Sequence, residues 1–351
     1  MHPALRTPLI DLVGVKYPIV QTGMGYVAWP RLAAATSNAG GLGIVASATM
    51  DLDELRAAIA EMRERTEAPF GVNLRSDAVD ADERIELLIR EQVKVASFAM
   101  APKEHLIKKL KDAGVVVIPS IGAKRHAEKV AAWGVDAVIV QGGEGGGHTG
   151  TVPTTLLLPQ VVDAVDIPVI AAGGFFDGRG LVAALAYGAA GIAMGTRFLL
   201  TRDSPVGDLV KQVYLEKTVT DTVVTTQVDG VPHRVLRSEL VDKLEKTGPV
   251  TSMPRAVGNA LRFHKLSGTR WRDIVKEGLA MRRSQELSWS QVVMAANTPM
   301  LLKAAMQDGR PDLGVMASGQ VVGMIDDLPS CAELIERIVR EAEKVLARLG
   351  G

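Results

Sequence analysis

Residues 168–197 read PVIAAGGFFDGRGLVAALAYGAAGIAMGTR. A short apolar run, Pro168–Gly173, ends in the pair Gly173-Gly174. The segment Gly178–Tyr187 has the pattern of a surface helix, and a second apolar run, Gly191–Met194, leads into Gly195-Thr196-Arg197. Strands nearly continuous in Val, Ile and Ala belong to parallel sheets covered on both faces. The stretch is therefore one strand–helix–strand unit with glycine at each strand's C-terminal end.

The same rhythm extends back to the start of the chain. Further candidate strands are Pro18–Gly23, Leu42–Ala46, Phe70–Leu74, Lys94–Phe98, Val115–Pro119 and Asp136–Gln141. Between them Asp53–Arg65, Lys103–Asp112 and Lys124–Trp133 carry charged residues on one face, as surface helices do. Eight such units in series favour a closed (β/α)8 TIM barrel over an open sheet. A barrel of about 250 residues plus an appendage accounts for a chain of 351 residues. The rhythm breaks after Pro205, where the sequence becomes rich in helix formers without a clear strand series. The expected organisation is a barrel over 1–205, an inserted helical substrate or lid domain over 206–310, and a C-terminal part over 311–351. In that last part Gly314–Gly323 reads as a loop and Cys331–Leu349 as a helix returning to the barrel.

Composition narrows the function. The chain is 47% hydrophobic, but no apolar run approaches the roughly 20 residues a membrane span requires. Met1–Val15 mixes Arg6 and Asp11 into its apolar residues, so a cytoplasmic protein is expected, with no membrane partner. Forty basic and forty acidic residues cancel, which gives no electrostatic reason to expect nucleic acid. The single cysteine, Cys331, excludes an intramolecular disulfide and reads as a packing residue. The six histidines form no cluster with carboxylates or thiols in the sequence, so no metal centre is expected. Homo-oligomers are the usual state of such enzymes, although no interface is legible.

Barrel enzymes place their chemistry on loops after the strands. Here unusual residues collect at those points: Gln21-Thr22-Gly23-Met24-Gly25 after the first strand, Gly71-Val72-Asn73 in the third, and Met194-Gly195-Thr196-Arg197 after the eighth. Glycine lets backbone amides approach a phosphate, and loops after the seventh and eighth strands are the usual phosphate site of barrels. Gly173, Gly174, Gly195 and Thr196 are candidates for that role, although the same glycines also suit tight strand-to-helix turns. The sixth strand runs into Gln141-Gly142-Gly143-Glu144-Gly145-Gly146-Gly147-His148-Thr149-Gly150. So many glycines favour neither a helix nor a packed strand, but they form a loop that lies flat against a planar ligand. Its titratable groups are Glu144 and His148. His148 suits proton transfer, since a free imidazole has a pKa of roughly 6.5. Glu144 reads as a shape-holding hydrogen-bond acceptor. His2, His105, His126, His233 and His264 have no motif context.

These residues, with Ala39-Gly40-Gly41-Leu42-Gly43 and Pro69-Phe70-Gly71-Val72-Asn73, resemble the nitronate monooxygenase superfamily of FMN-dependent barrels, which includes FMN-containing enoyl-thioester reductases. The resemblance implies FMN held by Gln21, Gly23, Met24, Asn73, Gln141, Gly146, Gly174, Gly195 and Thr196, with Gly173 and Met194 beside them. It implies His148 as the catalytic acid/base. Many members carry a small residue, Pro and Met after the first-strand glutamine, whereas Thr22-Gly23-Met24-Gly25 stands here. That stretch and Met316-Ala317-Ser318-Gly319-Gln320 look closer to the thioester reductases. Val224-Thr225-Thr226, His233–Arg237 and Trp289–Pro299 are similar to acyl-CoA dehydrogenases of actinobacterial steroid degradation. That likeness implies an acyl-CoA substrate and the introduction or reduction of a ring double bond, with NAD(H) as the expected electron partner.

The basic run Arg255, Arg262, Lys265, Arg270, Arg272, Lys276, Arg282 and Arg283 suits coenzyme A phosphates, or equally a solvated helical face. Arg262 and Lys265, and Arg237 through the resemblance, are candidate substrate contacts. Trp271, Met281 and Trp289 read as core anchors. His148 alone leaves two reactions open, acyl-CoA oxidation or its reverse and nitronate oxidation with oxygen. It argues against a third reading, storage or sensing of FMN without catalysis, because mere binding needs no titratable group in that loop.

Overall fold

In the computed structural model, which describes residues 1–246 and 297–350, the β/α rhythm closes on itself. The barrel strands are β1 (Ile19–Gln21), β2 (Leu42–Ala46), β3 (Phe70–Leu74), β4 (Val95–Phe98), β5 (Val116–Ile121), β6 (Val138–Gln141), β8 (Val169–Ala172) and β9 (Gly191–Met194). They run parallel in chain order, and β9 returns to β1 through the register Ile19↔Ile192, Val20↔Ala193 and Gln21↔Met194. Each of the eight strands expected from the sequence is present. The helices around them also follow the sequence. Leu52–Arg65 opens with a reciprocal cap, in which Asp51 accepts from the Glu54 amide at 2.8 Å while Glu54 accepts from the Asp51 amide at 2.9 Å. It buries Leu55, Ala58, Ile59 and Met62, one stripe at helical spacing.

Two apolar clusters divide the barrel. Val20, Leu42, Ile44, Val95, Ile118, Ile139 and Ile170 belong to one cluster. Leu9 and Val13 of the helix Pro8–Val13 join it, and Thr7 Oγ1 donates to Ala190 O at 2.5 Å just before β9. That helix thus plugs the N-terminal end of the barrel. The other cluster joins the strands to the helices around them. The helix Cys331–Gly350 packs against Gly178–Ala186 and Pro30–Asn38, completing the helical ring. Its approach is close: a Cβ on Gly178 would lie 2.4 Å from Ala342 N. Cys331 is fully buried there, and burial pushes its thiol up to about 12.

The structure differs from the sequence reading after residue 205. The helices Asp208–Leu215, Glu239–Lys246 and Asn297–Met306 occur, but so does a hairpin of β10 (Thr222–Thr225) and β11 (His233–Leu236). Its strands are rich in Val and Thr, residues that favour the pleated sheet. The glycine-rich loop also departs from expectation. Gly147 and His148 form a short strand, β7, antiparallel to β11 with His233↔His148 and Arg234↔Gly147 in register. Pairing with an existing strand satisfies backbone groups that glycine alone would leave in solvent. Trp271, Met281, Trp289 and the basic run from Arg255 to Arg283, including Arg262 and Lys265, lie outside the described residues. Among the described residues, no helix is long and apolar enough to cross a membrane.

Gly43 in β2 leaves no space for a side chain. A Cβ there would sit 1.9 Å from Ala33 O of the neighbouring helix. Overpacking costs about 1–3 kcal/mol where the neighbour can move, and more against backbone. Gly43→Ala is expected to lower stability by at least that amount, measured as a shift in the urea midpoint.

Candidate active site

The C-terminal ends of the barrel strands open into a cavity of about 310 Å³, a typical volume for a small-molecule site. Its wall is contributed strand by strand: Thr22, Gly23 and Met24 after β1, Asn73 in β3, Ser97 in β4, Ser120 in β5, Gln141 in β6, Ala172–Gly174 after β8 and Met194–Thr196 after β9. Gly145–His148, His233, Ala317 and Gly319 line it as well, with Leu302 and Met306.

The glycine loop is held by side chains. Gln141 Nε2 donates to His148 O at 2.8 Å and to Gly146 O at 3.3 Å. Glu144 accepts from the Thr154 amide at 2.9 Å and from Thr154 Oγ1 at 2.7 Å, at the first residue of the helix Thr154–Val162. A carboxylate there is favoured by the helix dipole, so Glu144 holds the loop's shape as expected. Arg234 donates twice to Gly143 O, at 2.9 and 3.2 Å. Gly146 is forced to be glycine, because a Cβ would lie 2.5 Å from Ser318 C and Gly319 N. Gly319 N in turn donates to Thr196 Oγ1 at 3.0 Å, and Gln320 N to Glu144 O at 3.0 Å. The segment around Ser318 thereby ties the glycine loop to the turn after β9. Arg197, buried beneath that turn, donates to Asp327 Oδ1 at 2.9 Å and to Leu200 O at 2.6 Å.

His148 stands on β7 with its side chain 57% exposed, and its Nε2 lies 2.7 Å from Asp229 Oδ2. His233 Nδ1 lies 3.6 Å from the same oxygen, and the two imidazole rings are 4.6 Å apart. Burial of Asp229 would raise its carboxyl. The His148 hydrogen bond and the two imidazoles more than reverse this and hold it well below the usual carboxylate range. Burial of His233 lowers its imidazole, and the neighbouring His148 lowers it further against the pull of Asp229. The six histidines are therefore not all isolated, since folding joins two of them around one carboxylate. Residues of these types also bind metals. However, two ligands about 2.1 Å from a tetrahedral ion lie roughly 3.4 Å apart. The contact of 2.7 Å between His148 and Asp229 is that of a hydrogen bond.

Of the residues expected at the cofactor, Gly23, Met24, Asn73, Gln141, Gly146, Gly173, Gly174, Met194, Gly195 and Thr196 all line the cavity. Gln21 does not. It is fully buried, and its Nε2 is spent on the carbonyls of Ile44, at 3.1 Å, and Thr22. Arg237 also stays away from the cavity and pairs with Asp242 at 3.3 Å. His233 and Asp229 were not singled out in the sequence. The residue types and the five-residue span Asp229–His233 are visible there, but their partner, His148, is distant in the chain.

The geometry fits FMN. Gly173 and Gly174 have φ of 96° and 86°, and the nearest atom to a Cβ on Gly174 is Glu144 Cβ at 3.9 Å. Gly174 is thus a bare stretch of backbone beside the cavity, in a conformation that side chains rarely adopt. Thr196 begins a short helix, Thr196–Leu199, whose first amides have no intrahelical acceptor and suit a phosphate.

The model of the family described as nitronate monooxygenase matches residues 6–83 and 76–341. A protein of Mycobacterium tuberculosis is 65% identical over 341 residues, 96% of each chain. One of Rhodococcus jostii is 63% identical over 346 residues, 99% of this chain and 98% of its own. Both are named (3aS,4S,5R,7aS)-5-hydroxy-7a-methyl-1-oxo-octahydro-1H-indene-4-carboxyl-CoA dehydrogenase. Among solved structures, FabK from Thermotoga maritima matches with a TM-score of 0.83 and 35% identity over 99% of both chains.

Gly174→Ala places a methyl group in the cradle and strains the backbone by about 1–2 kcal/mol. We expect FMN affinity to fall roughly tenfold or more, read by fluorescence titration of the apoprotein with FMN. Affinity within twofold of wild type would remove Gly174 from the cofactor site.

Proposed function

The chain belongs to the nitronate monooxygenase family, a family of FMN-dependent oxidoreductases, and on that premise we propose that it dehydrogenates a bulky acyl-CoA thioester. The substrate class proposed is the hydroindane-carboxyl-CoA left from the last two steroid rings. The observation that carries this reading is the 63–65% identity, over nearly the whole chain, to two relatives named for such a substrate.

The site's own residues suit the chemistry. The proton next to a thioester carbonyl is acidic, and its removal needs a base near neutral pH. His148 lines the cavity, is more than half exposed, and takes that proton. Gly173–Gly174 and Gly195–Thr196 would hold FMN, which when bound would supply the two-electron acceptor that the loss of a β-hydrogen requires. The organic product would be an enoyl thioester, with NAD(H) the proposed electron partner. Leu302, Met306 and Val321 give the cavity an apolar side that suits a fused-ring acyl group. The same groups working in reverse reduce an enoyl thioester, a second reading favoured by the likeness to FabK.

Anaerobic mixing of the yellow holoenzyme with a hydroindane-carboxyl-CoA thioester is expected to bleach the flavin absorbance. Oxygen uptake with alkyl nitronates, without bleaching by any acyl-CoA, would overturn the proposal. His148→Ala is expected to retain FMN and to slow acyl-CoA turnover by about 10²–10⁴-fold. Unchanged turnover would remove His148 from the chemistry.

A further inference from the structure

With His148 as the acid/base proposed above, we infer that Asp229 is its positioning residue. Asp229 holds the Nε2–H of His148, so that Nδ1 is the nitrogen that exchanges the substrate proton, while His233 stays neutral behind the pair.

The geometry carries the assignment atom by atom. Asp229 lies in the turn between β10 and β11, with its side chain only 6% exposed. Its Oδ1 accepts from the Val231 amide at 3.2 Å, which fixes the carboxylate's orientation. Its Oδ2 then faces His148 Nε2 at 2.7 Å. An ionised carboxylate only accepts hydrogen bonds, so Nε2 must be the donor. A neutral imidazole with its proton on Nε2 has a lone pair on Nδ1, and Nδ1 is the atom left to act as base. On taking the substrate proton, His148 becomes an imidazolium already paired with a buried carboxylate. The new charge is neutralised where it forms.

His233 explains why the arrangement is stable only as a set. It sits opposite His148 in the β7–β11 register, 97% buried, with both ring nitrogens lacking a hydrogen-bond partner among the described residues. A second charged imidazole 4.6 Å from the first would be repelled, and burial favours the neutral form. His148, Asp229 and His233 can therefore hold one mobile proton between them rather than two. Among the described residues, the titratable side chains seen to act on Asp229 are these two histidines.

The decisive measurement is ¹⁵N NMR of histidine-labelled, FMN-loaded protein without substrate, with the His148 signals identified by their loss in His148→Gln. The expected spectrum has Nε2 protonated and Nδ1 bare; a proton on Nδ1 would overturn the assignment. This readout does not depend on which substrate the enzyme takes, so its failure is separable from failure of the proposed reaction. In kinetics, Asp229→Asn is expected to lower kcat by about 100-fold or more, with little change in KM or in the flavin spectrum. Asp229→Glu should recover part of the rate. An Asn variant with kcat within threefold of wild type, or one that loses kcat and KM together and is not rescued by Asp229→Glu, would reduce Asp229 to a structural role. If Asp229→Asn does not fold, the NMR measurement on the wild-type chain still decides.

Discussion

The pairing of β9 with β1 is the constraint from which the site follows. Closure forces eight parallel strands to end on the same rim, so loops distant in sequence converge there. It also buries both faces of most strands, which leaves their interiors no freedom to carry polar chemistry. The polar groups are pushed to the strand ends, at Asn73, Ser97, Ser120 and Gln141. The site is the edge of an otherwise apolar ladder.

Two separate pieces complete that edge. The barrel contributes a glycine cradle whose shape depends on bare backbone at Gly146 and Gly174. The β10–β11 hairpin contributes Asp229 and His233, and reaches His148 through the short strand β7. Neither piece suffices, because the barrel alone has one unpaired imidazole and the hairpin alone has no cavity. The segment around Ser318 joins them, bonding to Thr196 on the barrel side and to Arg234 O on the hairpin side. The family resemblance and the cavity thus describe the same place from two directions.

Most of the barrel was legible in the sequence because its signals are local. Runs such as Val169–Ala172 and stripes such as Leu55, Ala58, Ile59 and Met62 need no distant partner to be read. The cradle was legible for the same reason, since glycine pairs after strands have a physical meaning of their own. Gln21 was legible as a strand-end glutamine but not the inward turn of its Nε2, because such a side chain reaches backbone carbonyls as readily as a ligand. The hairpin was hidden by its helical surroundings, although Thr222–Thr225 and His233–Leu236 favour strands. The His148–Asp229–His233 contact was illegible because it is made by strand register across 81 residues of chain between His148 and Asp229.

The helix Cys331–Gly350 also fixes the order in which the molecule can be made. The last barrel strand ends at Met194, yet the helix covering the Gly178–Ala186 side of the ring begins only at Cys331. As the chain leaves the ribosome, all eight strands emerge before the element that shields that seam. A nascent barrel therefore waits with apolar surface exposed near Gly178, at a stage when such surface invites association with other chains. Contacts of this sequence separation also slow folding, because a long loop must close before they form. Shortening or rigidifying the segment between Met194 and Cys331 would change folding yield in the cell before it changed the finished enzyme.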